Sequence, residues 1–182
     1  MRNSLMQPGQ AELEQVITLK YGDLAKTGWS PRMRIRFGYF TPDEYYEALV
    51  ANLITHDTVW LDVGCGRNIF PNNYPLAHIL AKRCKFLAGV DPDRTIEENL
   101  LVHEKFRGDI EAFYSPKTFD IITLRMVAEH INDPEAAVKS FIRLMHPGSK
   151  VIIYTINKWS PVPILTRLIP FSLHHLIKSF LW

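Results

Sequence analysis

The sequence predicts an α/β fold: a Rossmann-like, mostly parallel sheet with helices on both faces. Three observations carry this. Runs such as Thr58-Val59-Trp60-Leu61-Asp62-Val63 and Asp120-Ile121-Ile122-Thr123-Leu124 are almost continuously apolar, as strands covered on both faces are. They alternate with segments of helical periodicity, the pattern of βαβ units. The first run also stops at Gly64-Cys65-Gly66, where the missing side chains let the backbone turn sharply and a ligand approach closely. Right-handed crossovers bring the C-terminal strand ends to one edge, and open α/β sheets bind ligands there.

The elements run in order along the chain. Residues 1–10 carry no pattern and are expected to be loose. Residues 11–19 suit a short helix with Leu13, Val16 and Ile17 on one face. Gly22, Gly28, Trp29 and Pro31 break up the next stretch, so residues 1–40 read as an N-terminal extension or lid. Thr41-Pro42-Asp43-Glu44 opens a helix to about Leu53, with Thr41 as N-cap, Pro42 in the first turn and Glu44 closing a capping box. A strand covers residues 58–63, a helix 76–83, a second strand 86–90 ending at Asp91, and a short helix 95–101. A candidate strand leads into the polar loop Gly108-Asp109-Ile110-Glu111. Residues 119–126 form a strong strand. Asp133-Pro134-Glu135 starts a helix that stops at His146-Pro147-Gly148, and residues 150–155 form a last strand. Residues 41–157 are therefore the α/β domain, and residues 158–182 a lid-like or truncated C-terminal segment.

Composition bounds the function. A chain of 182 residues with 47% hydrophobic and 22% charged content is one domain with a core of its own. Lys and Arg number 21 against 19 Asp and Glu, a net charge of +2, which argues against a nucleic-acid binder. Cys65 and Cys84 make no CxxC motif and no zinc site; they read as reduced thiols of a cytoplasmic protein. Residues 1–13 have no apolar signal-peptide core, and no run is long enough to span a membrane. The tail from Trp159 to Trp182 reads as the start of a substrate lid, with peripheral membrane contact as the second reading. His174 and His175 are too isolated for a metal site, and no metal is expected.

The chemistry concentrates at the strand ends. A dinucleotide loop needs a third glycine, but that position is Ile69, so a phosphate cradle and a nicotinamide-dependent oxidoreductase are disfavoured. Asp62 would repel phosphate and favour a cationic group. Asp91, in Gly89-Val90-Asp91, is placed to accept from both ribose hydroxyls. Asp109 can accept from an adenine amino group, with Ile110 against the ring.

Taken in order, these segments resemble the class I S-adenosylmethionine-dependent methyltransferases, in particular the ubiquinone-biosynthesis-like small-molecule group. The resemblance rests on the Leu61-Asp62-Val63-Gly64-Cys65-Gly66 motif, the strand ending in Asp91, the Gly108-Asp109-Ile110-Glu111 loop, Phe119-Asp120 opening a strand, and Leu144 with His146-Pro147-Gly148 before the next. It covers residues 41–157. It implies S-adenosyl-L-methionine as cofactor, methyl transfer to oxygen or carbon of a small acceptor, and a set of cofactor residues. Gly64, Cys65 and Gly66 border the methionine part, with Asp62 near its ammonium. Asp91 and Pro92 lie at the ribose, and Asp109 and Ile110 at the adenine. Arg125 and Met126 line the methionine side and the opening.

Three departures accompany the resemblance. Asn68 stands at the usual third glycine, and asparagine tolerates the left-handed conformation. The link from Arg67 to Tyr74 is long, putting Asp91 25 residues after Gly66. After Thr155 the resemblance implies a further helix and two more strands, so the expected sheet lacks the last strands of the usual seven. The expectation is a truncated product, a split gene or a domain completed by a partner chain or second copy. A catalytically weak cofactor-binding fragment is the alternative to an enzyme. His130 and Glu129 are the candidate bases; each could equally orient its loop, because in-line transfer from a sulfonium needs a base only for a nucleophile that must lose a proton.

Overall fold

The computed structural model of the chain describes residues 7–23 and 25–157. Five strands, all parallel, form one sheet among them: β1 (Val59–Val63), β2 (Phe86–Asp91), β3 (Glu104–Arg107), β4 (Phe119–Arg125) and β5 (Met145–Tyr154), in the order β3-β2-β1-β4-β5. The order in which strands are added reverses between β1 and β4, which places a crevice beyond the carboxyl ends of these strands. The tail from Trp159 to Trp182, and with it the lid and membrane readings, lies outside the described residues.

Helices cover both faces. Alternation along β1 sends Trp60 and Asp62 to one face and Leu61 and Val63 to the other. On the first face, α1 (Gln10–Tyr21), α3 (Pro42–Leu53) and α4 (Tyr74–Arg83) pack Leu13, Ile17, Val50 and Leu80 against Trp60, Leu87 and Ile121. On the second, α5 (Pro134–Leu144) lays Ala137, Phe141 and Leu144 over Leu61, Ile122 and Leu124, with Ile110 and Phe113 from the loop after β3. Leu13, Val16 and Ile17 of the N-terminal extension thus belong to the main core.

Local chemistry sets the boundaries. Glu44 reaches back to accept from the Thr41 amide at 2.7 Å, so the N3 side of the expected capping box forms. Helix α4 starts two residues earlier than expected, because the Asn73 side chain accepts from the Leu76 amide and Pro75 is at ease in a first turn. Three expectations are corrected. Residues Trp29–Arg36 form a helix, α2, with Pro31 in its first turn, where proline is tolerated. The helix expected over 95–101 is a short 3-10 turn at Arg94–Glu98. Strand β5 begins at Met145, which pairs with Phe119. The chain then bulges through His146-Pro147-Gly148-Ser149 and regains register at Lys150, opposite Ile121.

The candidate cofactor site

The turn after β1 is the centre of the site. Gly64 has φ +76° and Gly66 φ +43°. A Cβ on Gly64 would lie 2.0 Å from Val127 Cγ2, so the loop after β4 closes directly onto a bare backbone. Asn68 does not take the left-handed role expected of it; its Oδ1 instead accepts from the Phe70 amide at 2.9 Å, an Asx turn that steers the chain toward α4.

Two side chains fix this turn from other elements. Asp91, at the end of β2 and largely buried, accepts from the Gly66 amide through Oδ2 at 2.8 Å and from the Asp93 amide through Oδ1 at 2.7 Å. Asn99 is fully buried beneath the turn and donates to the Gly66 carbonyl at 3.0 Å. Nothing in the sequence around Asn99 signals this role, because the contact spans 33 residues.

Cavities open on either side of Gly64. The larger, about 390 Å³, is lined by Gly64, Cys65, Gly66, Arg67, Asn68 and Tyr74, with Arg125 from the end of β4. The smaller, about 70 Å³, is lined by Val90, Pro92, Asp109, Ile110, Val127 and His130. Of the residues expected in the site, Gly64, Cys65, Gly66 and Arg125 gather at the first, and Pro92, Asp109, Ile110 and His130 at the second. Asp91 stands behind the turn that both share. The Cys65 thiol is buried and its pKa is pushed well up, by burial first, so it is a filler and not a nucleophile.

Asp62, Asp91, Met126 and Glu129 are in neither lining. Strand alternation turns Asp62 to the Trp60 face, beneath the turn. There Thr123 Oγ1 donates to Asp62 Oδ1 at 2.6 Å, and Trp60 Nε1 donates to Thr123 Oγ1 at 2.6 Å. Burial raises the Asp62 pKa to about 7, against the lowering effects of Thr123 and Arg125. Met126 has φ +55°, the left-handed region, and its amide donates to the Tyr154 carbonyl at 2.7 Å. Strain of that kind collects at functional strand ends. Glu129 Oε2 accepts from Thr155 Oγ1 at 2.6 Å. Among the described residues, no three His, Cys, Asp or Glu side chains gather where they could hold a metal ion.

The arrangement fits S-adenosylmethionine on its own terms. The larger cavity is of small-ligand size, for which about 300–1,000 Å³ is usual. A glycine wall separates it from a second slot beside Ile110, the Asp91 carboxylate stands behind that wall, and the Arg67 and Arg125 guanidinium groups line the first.

Comparison with known proteins agrees. Residues 31–180 match a family described as a methyltransferase domain. A ubiquinone biosynthesis O-methyltransferase from Coxiella burnetii (strain Dugway 5J108-111) is 26% identical over 163 residues, which is 84% of this chain and 67% of the relative. Another, from Neisseria meningitidis serogroup A, is 34% identical over 110 residues, 54% of this chain and 44% of the relative. The chain spans between 43% and 67% of the length of such relatives. Among solved structures, the plantazolicin methyltransferase BpumL, in complex with a pentazolic desmethylPZN analog and SAH, superposes with a TM-score of 0.53 at 18% identity, covering 91% of this chain and 68% of that one. A TehB-like SAM-dependent methyltransferase from Corynebacterium glutamicum superposes with a TM-score of 0.51 at 18% identity, covering 74% of each chain.

Proposed function

The chain belongs to the methyltransferase domain family, and on that premise we propose that it binds S-adenosyl-L-methionine across the two cavities beside Gly64 and transfers its methyl group to a small organic acceptor, at oxygen or carbon. The observation that carries this reading is the Asp91–Gly66 hydrogen bond, which fixes the turn whose Gly64 both cavities share. It holds a carboxylate with spare lone pairs where a ribose diol would be read.

The residues divide the ligand between them. Arg125 takes the carboxylate of the amino-acid end in the larger cavity. Asp91 takes the ribose hydroxyls. Asp109 takes the adenine amino group, with Ile110 against the ring. The bound cofactor supplies a methyl group already activated on a cationic sulfur, so the chain's work is to bind, orient and exclude water. Asp62 contributes from below, on the Trp60 face, where the Thr123 hydrogen bond and the Arg125 charge offset part of the burial that raises its pKa.

Neither candidate base lines the larger cavity, and His130 remains the candidate because its side chain has no bonded partner among the described residues. It lines the smaller cavity, whereas a Glu129 carboxylate oxygen is taken by Thr155. No helix among the described residues is long and apolar enough to cross a membrane, and both cysteines are free and buried. A reducing cytoplasmic setting is part of the same proposal. So is pairing of a second copy or partner chain at β5, one of the two edge strands among the described residues.

The test is isothermal calorimetry with S-adenosylhomocysteine, with NADH as control. Saturable binding of the first alone is expected. Binding of NADH, or of neither by a folded sample, refutes the reading.

A further inference from the structure

We infer that Asp43 is a positioning residue for the amino-acid end of the cofactor, acting through Arg125; the inference rests on the cofactor reading above. Asp43 lies in the first turn of α3, in the N-terminal part of the chain and 82 residues from Arg125. Its Oδ1 accepts from Arg125 Nε at 2.9 Å and lies 2.8 Å from Arg125 Nη2. Its Oδ2 accepts from Lys20 Nζ of α1 at 3.1 Å. The Asp43 and Arg125 side chains are only 13% and 18% exposed, so the pair is partly withdrawn from water and its geometry is held.

Three features make this more than an ion pair. Both bonds use one edge of the guanidinium, leaving Nη1 for a group in the larger cavity, which Arg125 lines. The Tyr154 ring lies on Arg125, 6.0 Å from its centroid to the guanidinium carbon, so the cation is fixed between a carboxylate and an aromatic ring. Asp43 is itself anchored: Lys20 holds its second oxygen, and the N-terminus of α3 favours its charge. A long arginine side chain that would otherwise lose rotamer freedom on binding is therefore already ordered.

A second strut reaches the other wall. Asn73, which caps α4 at the end of the loop lining the cavity, donates to Glu47 of α3 at 2.8 Å and to the Val16 carbonyl of α1 at 3.3 Å. Helices α1 and α3 thus brace the cavity from both sides, and Asp43 is the brace that touches a ligand-facing group.

The experiment compares two ligands on the full chain by calorimetry. S-Adenosylhomocysteine carries the amino-acid carboxylate; 5′-methylthioadenosine keeps the nucleoside and the thioether but lacks it. Asp43→Ala should weaken the first by about tenfold or more, and Asp43→Asn by less, because an amide still accepts but carries no charge. Both variants should leave 5′-methylthioadenosine within about twofold of wild type, and in an Arg125→Ala background Asp43→Ala should cause no further loss. Equal losses for both ligands would show a merely structural role and overturn the inference. Unchanged or tighter S-adenosylhomocysteine binding would overturn it too, the latter by showing that Asp43 competes for Arg125. If wild type binds neither ligand, it is the cofactor reading that fails, and the inference with it.

Discussion

The Asp91 carboxylate and the Gly66 amide, 25 residues apart in sequence, are joined by a 2.8 Å hydrogen bond that ties the end of β2 to the turn after β1. Asp91 thus shapes the site as well as reading a ligand. Asp91→Ala is expected to abolish measurable S-adenosylhomocysteine binding and to lower stability by about 1–3 kcal/mol, because the Gly66 amide loses its partner. Asp91→Asn should recover only part of the stability, since its one amide oxygen can accept from Gly66 or from Asp93 but not from both, and little of the affinity. Calorimetry paired with urea unfolding separates the two effects.

Gly64 is required by contact as well as by conformation. Gly64→Ala would set a Cβ 2.0 Å from Val127 Cγ2 at φ +76°. A loss of about 1–3 kcal/mol is expected from the clash and the backbone strain. Val127→Ala in the same chain should return the steric part and leave the strain. A double mutant no more stable than Gly64→Ala would disprove the contact.

The buried acids fix a pH dependence. Asp62 and Glu47 both titrate near about 7 in the folded chain, each raised first by burial. Their unfolded values are near about 4. Between those limits the native state binds more protons than the unfolded one, so stability falls as pH rises from about 4 to about 7 and stays lower above it. Urea midpoints at pH 5 and pH 8 should therefore differ, with pH 5 the more stable as far as these two groups are concerned. Asp62→Asn keeps an acceptor for Thr123 and should flatten the slope. A slope unchanged in Asp62→Asn and in Glu47→Gln would contradict it.

Thr123 links Trp60 to Asp62, and its removal should be felt at both ends. Thr123→Val keeps the shape and deletes the hydroxyl, leaving the Trp60 indole N–H without its acceptor and Asp62 without its donor. A loss of about 1–3 kcal/mol is expected. Because the Thr123 hydrogen bond lowers the Asp62 pKa, the pH-dependent fall should also extend to higher pH. Chemical denaturation across pH reads both.

Whether a feature is legible in the sequence depends on how local its cause is. Strands β1, β2 and β4 are apolar runs whose burial is written in their own residues, and Gly64, Gly66 and Asp91 mark strand ends in the sequence itself. Helix α2 is hidden because Pro31 and the flanking glycines read as breakers, while a first turn accepts proline. The orientation of Asp62 is legible from strand parity: it shares a face with Trp60, so it points toward the helices α1, α3 and α4. The Asn99 support and the Arg125–Asp43 pair are not, since they join positions 33 and 82 residues apart that only the folded sheet brings together.

The two candidate bases make opposite predictions. His130 lines the smaller cavity beside Asp109 and Ile110, whereas Glu129 is bonded to Thr155 just beyond the end of β5. If His130 accepts the acceptor's proton, His130→Ala should cut kcat at saturating cofactor by about 10²-fold or more, since general-base catalysis is worth about 10²–10⁴; if it only shapes the cavity assigned to the adenine, S-adenosylhomocysteine affinity should fall while kcat holds. Glu129→Gln should then act through loop order: Thr155 can still donate to the amide oxygen, so kcat should change by less than about fivefold. The ranking reverses if Glu129→Gln proves the more damaging in kcat. Once an acceptor is in hand, the pH–rate profile adds an independent check: the ascending limb that a general base produces should vanish in His130→Ala. If it survives, the proton goes elsewhere, and His130 is left with shaping the smaller cavity alone.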